Sequence, residues 1–192
     1  IAERRPDWFR LPCDNARIVF RDVTNRTNRR TVIASLMRPE VILTNKATFI
    51  EWAEPDPKAE AFLLGTLCST PLDWYARQIV ELALNFYIFN GFPIPNFDIG
   101  DELCARVVRI SGMLAAVDDR FEAWAAAVEV PVGSIASESE RSDLLAELDA
   151  VVAHLYRLDV SDLETIWDTF HTTTDHLPEL DKVVGYFEEW SR

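Results

Sequence analysis

The spacing of apolar residues changes near residue 97 of this 192-residue chain. Beyond that point, eight apolar side chains recur alternately four and three positions apart: Leu103, Val107, Ile110, Leu114, Val117, Phe121, Trp124 and Val128. A seven-residue repeat of this kind places its members on one side of a helix. We therefore predict a single helix over residues 103–128, about seven turns long, which ends before Pro131 and Gly133.

Three further helices are predicted after residue 130. Ser137 and Glu140 have the spacing of a capping box, and so do Ser161 and Glu164. Apolar residues recur again at helical spacing over residues 179–190. Residues 98–192 are therefore expected to form an all-α unit of about four helices.

The first 97 residues show short runs of β-branched and aromatic residues between turns. Four strands are expected, over residues 16–23, 31–37, 40–45 and 85–89. Asp56 before Pro57 indicates a helix between the last two strands, because Asp caps helices and Pro suits their first position. Ser69 or Thr70 before Pro71 indicates a second helix by the same signal.

These patterns predict an α+β protein in which a small mixed β-sheet with short helices precedes the helical unit. The segment that holds Gly91, Pro93 and Pro95 cannot continue a regular element. We place a domain boundary near Phe97 and expect domains at residues 1–97 and 98–192. The 48% of hydrophobic residues suffice for a sizeable core.

The sequence also bears on cellular location. No uninterrupted apolar run reaches about 18 residues, so no membrane-spanning helix is predicted. Cys13, Cys68 and Cys104 are odd in number and lack metal-ligand spacing, which favours a reducing, cytoplasmic compartment. The chain starts with Ile1 rather than Met, and we expect it to be part of a longer protein with a further N-terminal portion.

Charge is distributed unevenly along the chain, whose formal net charge is -13. Residues 1–97 carry 12 basic and 11 acidic side chains, whereas residues 98–192 carry 7 and 21. Residues 17–46 hold 7 basic and 2 acidic side chains. The sequence thus offers one candidate surface for a polyanion, in a protein whose second half would repel one.

Residue types that serve catalysis or metal binding occur without a supporting arrangement. Successive glycines are at least nine residues apart, so no glycine-rich phosphate loop is possible. His154 lies in an apolar helical segment. His171 and His176, with Asp175, have no third imidazole or thiol nearby. We predict no catalytic residue and no metal site.

Residues 24–30, here called the polar turn, are seven consecutive hydrogen-bonding side chains between two predicted strands. Arginine can bind guanine edges, asparagine can bind adenine edges, and threonine can bind phosphate, so a turn of this composition could enter a groove of DNA. Alternatively, its arginines pair with the acidic second half and only solvate a turn. Composition does not decide between these two roles.

Four short motifs follow one another in a familiar order. They are NRRTVIASLMRP at residues 28–39, LLGTLCSTPLDWYARQIVE at 63–81, LNFYIFNGFPIP at 84–95 and AELDAVVAHLYRLDVSDLETIWDTF at 146–170. Within the second motif, Thr70, Asp73 and Arg77 are the matching positions. In this order the motifs resemble the C-terminal target-recognition and helical region of large adenine-specific (N6) DNA methyltransferases, which occur in type II restriction–modification and phage-defence systems.

The resemblance implies a module that binds double-stranded DNA rather than an active site. The methyl transfer of that family uses a Rossmann-like domain with a glycine-rich S-adenosylmethionine loop and an Asn/Asp-Pro-Pro-Tyr/Phe motif that holds the flipped adenine. Neither motif is present here. We therefore expect no cofactor in this chain, and a methyltransferase domain, with its S-adenosylmethionine, in the N-terminal part of the same protein.

The charge and the resemblance together give a set of candidate DNA contacts: Arg21, Asn25, Arg26, Asn28, Arg29, Arg30 and Lys46. Asn25 and Asn28 are the candidate base readers. Arg30 has a second possible role, since an arginine at the start of an apolar strand can equally form a structural salt bridge. The alternative function is a protein-interaction module that docks a partner on the apolar seam of residues 103–128.

Overall fold

The computed structural model describes residues 11–170 and 177–191. Within them, a three-stranded sheet is followed by eight α-helices, so the protein is α+β and mostly helical, as the sequence predicts. The strands are β1 (Arg17–Arg21), β2 (Ala34–Met37) and β3 (Ala47–Phe49). The helices are α1 (Pro57–Cys68), α2 (Thr70–Ile79), α3 (Phe86–Phe89), α4 (Glu102–Ala115), α5 (Glu122–Val128), α6 (Glu138–Leu155), α7 (Val160–Phe170) and α8 (Leu177–Trp190).

The sheet has the order β2-β1-β3, and both pairings are antiparallel rather than mixed. β1 lies at the centre, where Ile18 and Phe20 are buried. The predicted strand over residues 40–45 is wrong. The chain turns at Glu40, whose φ is 63° and whose N–H donates to the Cys13 carbonyl over 2.7 Å. Ile42 in this run is 86% exposed, so its side chain does not pack on the sheet.

The predicted strand over residues 85–89 is also wrong, because it forms the single turn α3. The Asn85 side chain caps this turn by accepting from the Ile88 N–H over 3.1 Å. Phe86 and Phe89 then lie three positions apart and both contact the ring of Phe20 on β1. Residues three positions apart lie on the same side of a helical turn, whereas they point to opposite sides of an extended strand. The turn therefore allows both rings to pack on the sheet.

The helices α1 and α2 begin where their capping residues predict. The Asp56 side chain accepts from the Ala59 N–H over 3.0 Å. Ser69 ends α1 and caps α2 through its side chain. The two helices therefore meet at one residue, and this junction becomes important for the candidate site.

The single helix predicted over residues 103–128 is wrong, since the chain breaks into α4 and α5. The helix α4 ends at Ala115. Asp118 then accepts from both the N–H and the guanidinium of Arg120, which stabilises a separate 3₁₀ turn over Asp119–Phe121. The apolar seam is nevertheless used: seven of its eight residues are in the core or packed against it, and only Val117 is exposed. The regular spacing therefore identifies the buried residues correctly, although they belong to two helices instead of one.

The helix α6 begins after Ser137, as predicted, because the Ser137 side chain accepts from the Glu140 N–H over 3.1 Å. The predicted cap of the next helix at Ser161 is wrong. The side chains of Asp159 and Asp162 each accept from the N–H of the other residue over 3.0 Å. The helix α7 therefore begins at Val160, directly after Asp159.

One apolar cluster contains buried residues from both sides of residue 97, including Phe62 and Leu67 of α1 with Val107 of α4 and Leu148 of α6. The helices α1 and α4 approach closely at Gly65, where an added Cβ would lie 2.7 Å from Val107. A second cluster joins α6, α7 and α8 around Trp167. The predicted domain boundary near residue 97 stays a prediction. No helix of the described residues has the length and apolarity needed to cross a membrane.

Candidate nucleic-acid interface

The polar turn is shaped by its own side chains. The Asn25 Oδ1 accepts from the N–H and hydroxyl of Thr27, over 2.9 and 2.7 Å, and from the Asn28 N–H over 3.1 Å. The buried Thr24 hydroxyl donates to the Thr31 carbonyl over 2.7 Å and accepts from the Asn28 Nδ2 over 3.2 Å. Asparagine and threonine close turns in this way, so the turn has a defined shape before any ligand binds.

The helix α2 holds the turn from below. Arg77 donates through Nη2 to the carbonyls of Asn28 and Arg29, over 2.6 and 2.9 Å. Asp73, one turn earlier on α2, is wholly buried and accepts from the backbone N–H groups of Thr31 and Val32. Both residues bind the backbone of the turn and of the segment after it, so they fix the position of the turn and leave the side chains of Arg26 and Arg29 available.

Arg30 points into the protein. Its Nη2 donates to the carbonyls of Cys68 and Ser69, over 2.6 and 2.9 Å, at the junction of α1 and α2. Its Nε lies 3.6 Å from Asp73. The structural salt bridge that the sequence left open for Arg30 is therefore observed, and its DNA contact stays a prediction.

Polar contacts continue from this junction into the helical part. Asp149 of α6 accepts from the N–H and the hydroxyl of Thr70, over 2.6 and 2.8 Å. Burial raises the pKa of Asp149 to about 6, although Arg30 and the bonds from Thr70 act in the opposite direction. A line of hydrogen bonds thus connects the polar turn to α6.

The other predicted DNA contacts lie at one end of the sheet. Arg26 and Arg29 are exposed, and their guanidinium groups make no hydrogen bond or ion pair with any described residue. Arg21 is exposed and donates through Nε to the Val23 carbonyl over 2.5 Å. Lys46 is exposed and lies 3.2 Å from Asp22. Two cations of the turn and two at the neighbouring sheet end are therefore exposed, and Arg26 and Arg29 have no competing partner among the residues described.

The alternative role of these arginines, pairing with the acidic second half, is not what the described residues show. Within residues 11–170 and 177–191, no salt bridge connects the polar turn to a carboxylate beyond residue 97. The ion pair of Arg106 with Glu147 instead lies inside the second half. The exposed charges of the turn are therefore not explained by contacts within this part of the chain.

Sequence reasoning did not recognise Asp73 and Arg77 as anchors of the turn. The available signal was their four-residue spacing on α2, which places both on one face of the helix. The residues that carry the resemblance in the first two motifs also contact each other here, since Arg30 donates to Thr70 and Arg77 donates to Asn28. In this chain those positions build the support of the turn rather than its exposed surface.

His154 makes structural contacts in the described part of the chain. His154 stacks on Phe187 at 3.8 Å, and its Nε2 lies 2.8 Å from the Phe187 carbonyl oxygen. Among residues 11–170 and 177–191, no three His, Cys, Asp or Glu side chains are grouped as a metal site requires. His171, Asp175 and His176 lie outside the described residues.

Comparisons with models of protein families, with curated proteins and with solved structures give no match for this chain.

Proposed function

We propose that this chain is the DNA-recognition module of an adenine-N6 DNA methyltransferase of a restriction–modification or phage-defence system, and that it binds double-stranded DNA through the polar turn. Methyl transfer and S-adenosylmethionine belong to a further domain of the same protein, in the cytoplasm. The resemblance of the motifs supports the methyltransferase part of this proposal. The turn itself supports the binding part.

The observation that carries the proposal is a braced turn that presents two uncommitted arginines. The backbone at Arg26 and Arg29 is held by Asn25 and Arg77, so little backbone entropy is lost when the turn binds. Phosphate contacts by lysine and arginine supply essentially all of the non-specific affinity for DNA and a large share of the specific affinity. The net negative charge of residues 98–192 disfavours DNA elsewhere, which directs binding to this end of the molecule.

The alternative of a partner docked on the seam of residues 103–128 has less support. Val107, Ile110, Phe121 and Trp124 of that seam are buried inside this chain. A partner would have to displace the core to reach them.

The salt dependence of DNA binding tests the proposal. We expect the double variant R26A/R29A to reduce the slope of log K against log salt concentration by about 1.8, since each phosphate contact contributes about 0.9. The assay is fluorescence anisotropy with a labelled duplex from 50 to 200 mM salt, a range chosen to resolve a slope of this order.

A matched control separates local contacts from total charge. The variant R109A/R141A also removes two exposed arginines, from α4 and α6, and changes the net charge equally. Its slope should equal that of the wild type. The proposal fails if the two double variants have the same slope, or if the wild type binds no duplex at 50 mM salt.

A further inference from the structure

An open cleft of about 820 Å³ lies between β3 and α3. One wall consists of Thr48, Phe49 and Ile50, at the edge of the sheet. The other wall includes Phe86 and Phe89 of α3. The volume is within the range of sites that hold small organic groups.

Phe86 gives this cleft a fixed aromatic surface. Its ring lies edge-on to Phe20 at 5.7 Å and to Phe89 at 6.3 Å, and Phe89 is itself stacked flat on Phe20 at 4.7 Å. Phe86 is nevertheless 47% exposed. A ring held in place by neighbouring rings and open to solvent is a stacking platform for a planar group, as in proteins that bind unpaired bases.

Three asparagines supply polar groups at the same cleft: Asn45, Asn85 and Asn90. Asn85 uses its Oδ1 as the cap of α3, and its Nδ2 has no partner among the described residues. The carboxamides of Asn45 and Asn90 make no hydrogen bond to any described residue. Each carboxamide has a donor and an acceptor side by side, the pattern that complements the edge of a nucleobase.

The negative charge of the lining favours binding of an uncharged base in the cleft over binding of a phosphate. Asp22 and Glu51 line the cleft, and their carboxylates would repel a phosphate but admit a neutral ring. Two cations lie next to Asp22. Lys46 pairs with it over 3.2 Å, and Arg21 precedes it in the sequence. A nucleotide can therefore place its base in the cleft and its phosphate near these cations.

The cleft is contiguous with the polar turn. Asp22 lines the cleft and comes two residues before that turn. The Leu84 N–H donates to the Asp22 carbonyl over 2.8 Å, which brings the start of α3 to the same end of the sheet. DNA bound on Arg26 and Arg29 would thus pass close to the cleft.

We propose that this cleft binds an unpaired nucleobase of the DNA that the polar turn holds. The inference depends on the proposed function, because the turn supplies the DNA. Phe86 stacks on the base, and the asparagine carboxamides bind its edge.

A different occupant, an extended peptide, would use the free edge of β3 instead. Because the Ile50 N–H donates to Ile18 and the Lys46 carbonyl accepts from Asp22, the N–H and C=O of Phe49 face away from β1. The opposite edge of the sheet is partly covered, since the Cys68 Sγ contacts the Ala34 carbonyl. The exposed ring and carboxamides favour the base, and the following test distinguishes the two occupants.

The experiment compares binding of two short duplexes that differ by one unpaired, bulged adenine. A pocket that holds an extruded base binds more tightly when the base is already unpaired, because the free energy of unpairing and unstacking need not be supplied. The wild type should bind the bulged duplex about tenfold more tightly than the fully paired one, a ratio typical of one stacked base. F86L, which keeps an apolar side chain against Phe20, and N90A, which removes a carboxamide without a hydrogen bond to any described residue, should each reduce this ratio towards one.

The matched control is Y87A, on the same helical turn. Tyr87 is 91% exposed and does not line the cleft, so its removal should leave the ratio unchanged. A wild type that binds both duplexes equally overturns the cleft proposal and leaves the proposed function standing. Equal losses on both duplexes in F86L and N90A also overturn it and favour a structural or peptide-binding role. A wild type that binds neither duplex overturns both proposals.

Discussion

Replacement of Asp73 by alanine should be among the most damaging single changes in this protein. The carboxylate is wholly buried and accepts from the N–H groups of Thr31 and Val32, over 2.9 and 2.5 Å. It also lies 3.6 Å from Arg30 and 3.9 Å from Arg77. The variant D73A leaves two backbone donors without an acceptor and removes the carboxylate that lies next to Arg30 and Arg77.

The magnitude follows from these contacts. An unsatisfied buried donor costs about 1–3 kcal/mol, and removal of one member of a buried ion pair costs about 3–5 kcal/mol. Because both costs arise from one carboxylate they overlap, and we expect D73A to lower the free energy of unfolding by about 4 kcal/mol. D73N keeps one acceptor oxygen and should lose about 2 kcal/mol.

Urea denaturation at neutral pH, followed by circular dichroism, measures these differences. The control E81A removes an exposed carboxylate close to the end of α2 and should change stability by less than about 0.5 kcal/mol. The expected order of destabilisation is D73A, D73N and then E81A. If D73A loses less than about 1 kcal/mol, the carboxylate does not anchor the turn and the reasoning is refuted.

Two further predictions concern α6 and the glycines. Because burial raises the pKa of Asp149 to about 6 and an unfolded aspartate titrates near pH 4, the folded state binds more protons between these values. The stability of the wild type relative to D149N should therefore fall by roughly 2 kcal/mol as the pH rises from about 4 to about 6; a constant difference in urea unfolding across this range would contradict a raised pKa of Asp149 in the folded state. In thermal unfolding, Gly65→Ala should lower the melting temperature, because its Cβ would lie 2.7 Å from Val107, at a cost of about 1–3 kcal/mol. Gly185→Ala, with no atom within 4 Å of the new Cβ, should raise it through a helix propensity gain of up to about 1 kcal/mol, and equal shifts in both variants would refute this contrast.

Local signals in the sequence predict the parts of the fold that local interactions determine. Asp56 and Ser69 begin the helices α1 and α2 because each side chain accepts from a backbone N–H within its own first turn. The run over residues 16–23 has enough β-branched and aromatic residues to identify the central strand. The exposed position of Arg26 and Arg29 is likewise consistent with their place in a polar turn.

Tertiary contacts decide the parts that the sequence predicts wrongly. Residues 85–89 have strand-forming side chains. The chain nevertheless forms a helical turn there, which places both Phe86 and Phe89 against the ring of Phe20. The seam of residues 103–128 has a continuous period, although the helix ends at Ala115 and Asp118 caps a separate 3₁₀ turn.

Arg30 shows the same limit at the candidate site. Its partners Cys68 and Ser69 lie nearly forty positions away, at 38 and 39 residues. No local pattern distinguishes an inward arginine of this kind from the outward Arg29.

Chemical footprinting of arginines tests the DNA-contact role of the polar turn most directly. Phenylglyoxal modification, quantified by mass spectrometry with and without a saturating duplex, reports which guanidinium groups DNA covers. We predict that DNA protects Arg26 and Arg29 and leaves Arg109 and Arg141 reactive. Unchanged modification of Arg26 and Arg29 on DNA-saturated protein, or protection of the helical arginines instead, would contradict a DNA interface at this turn.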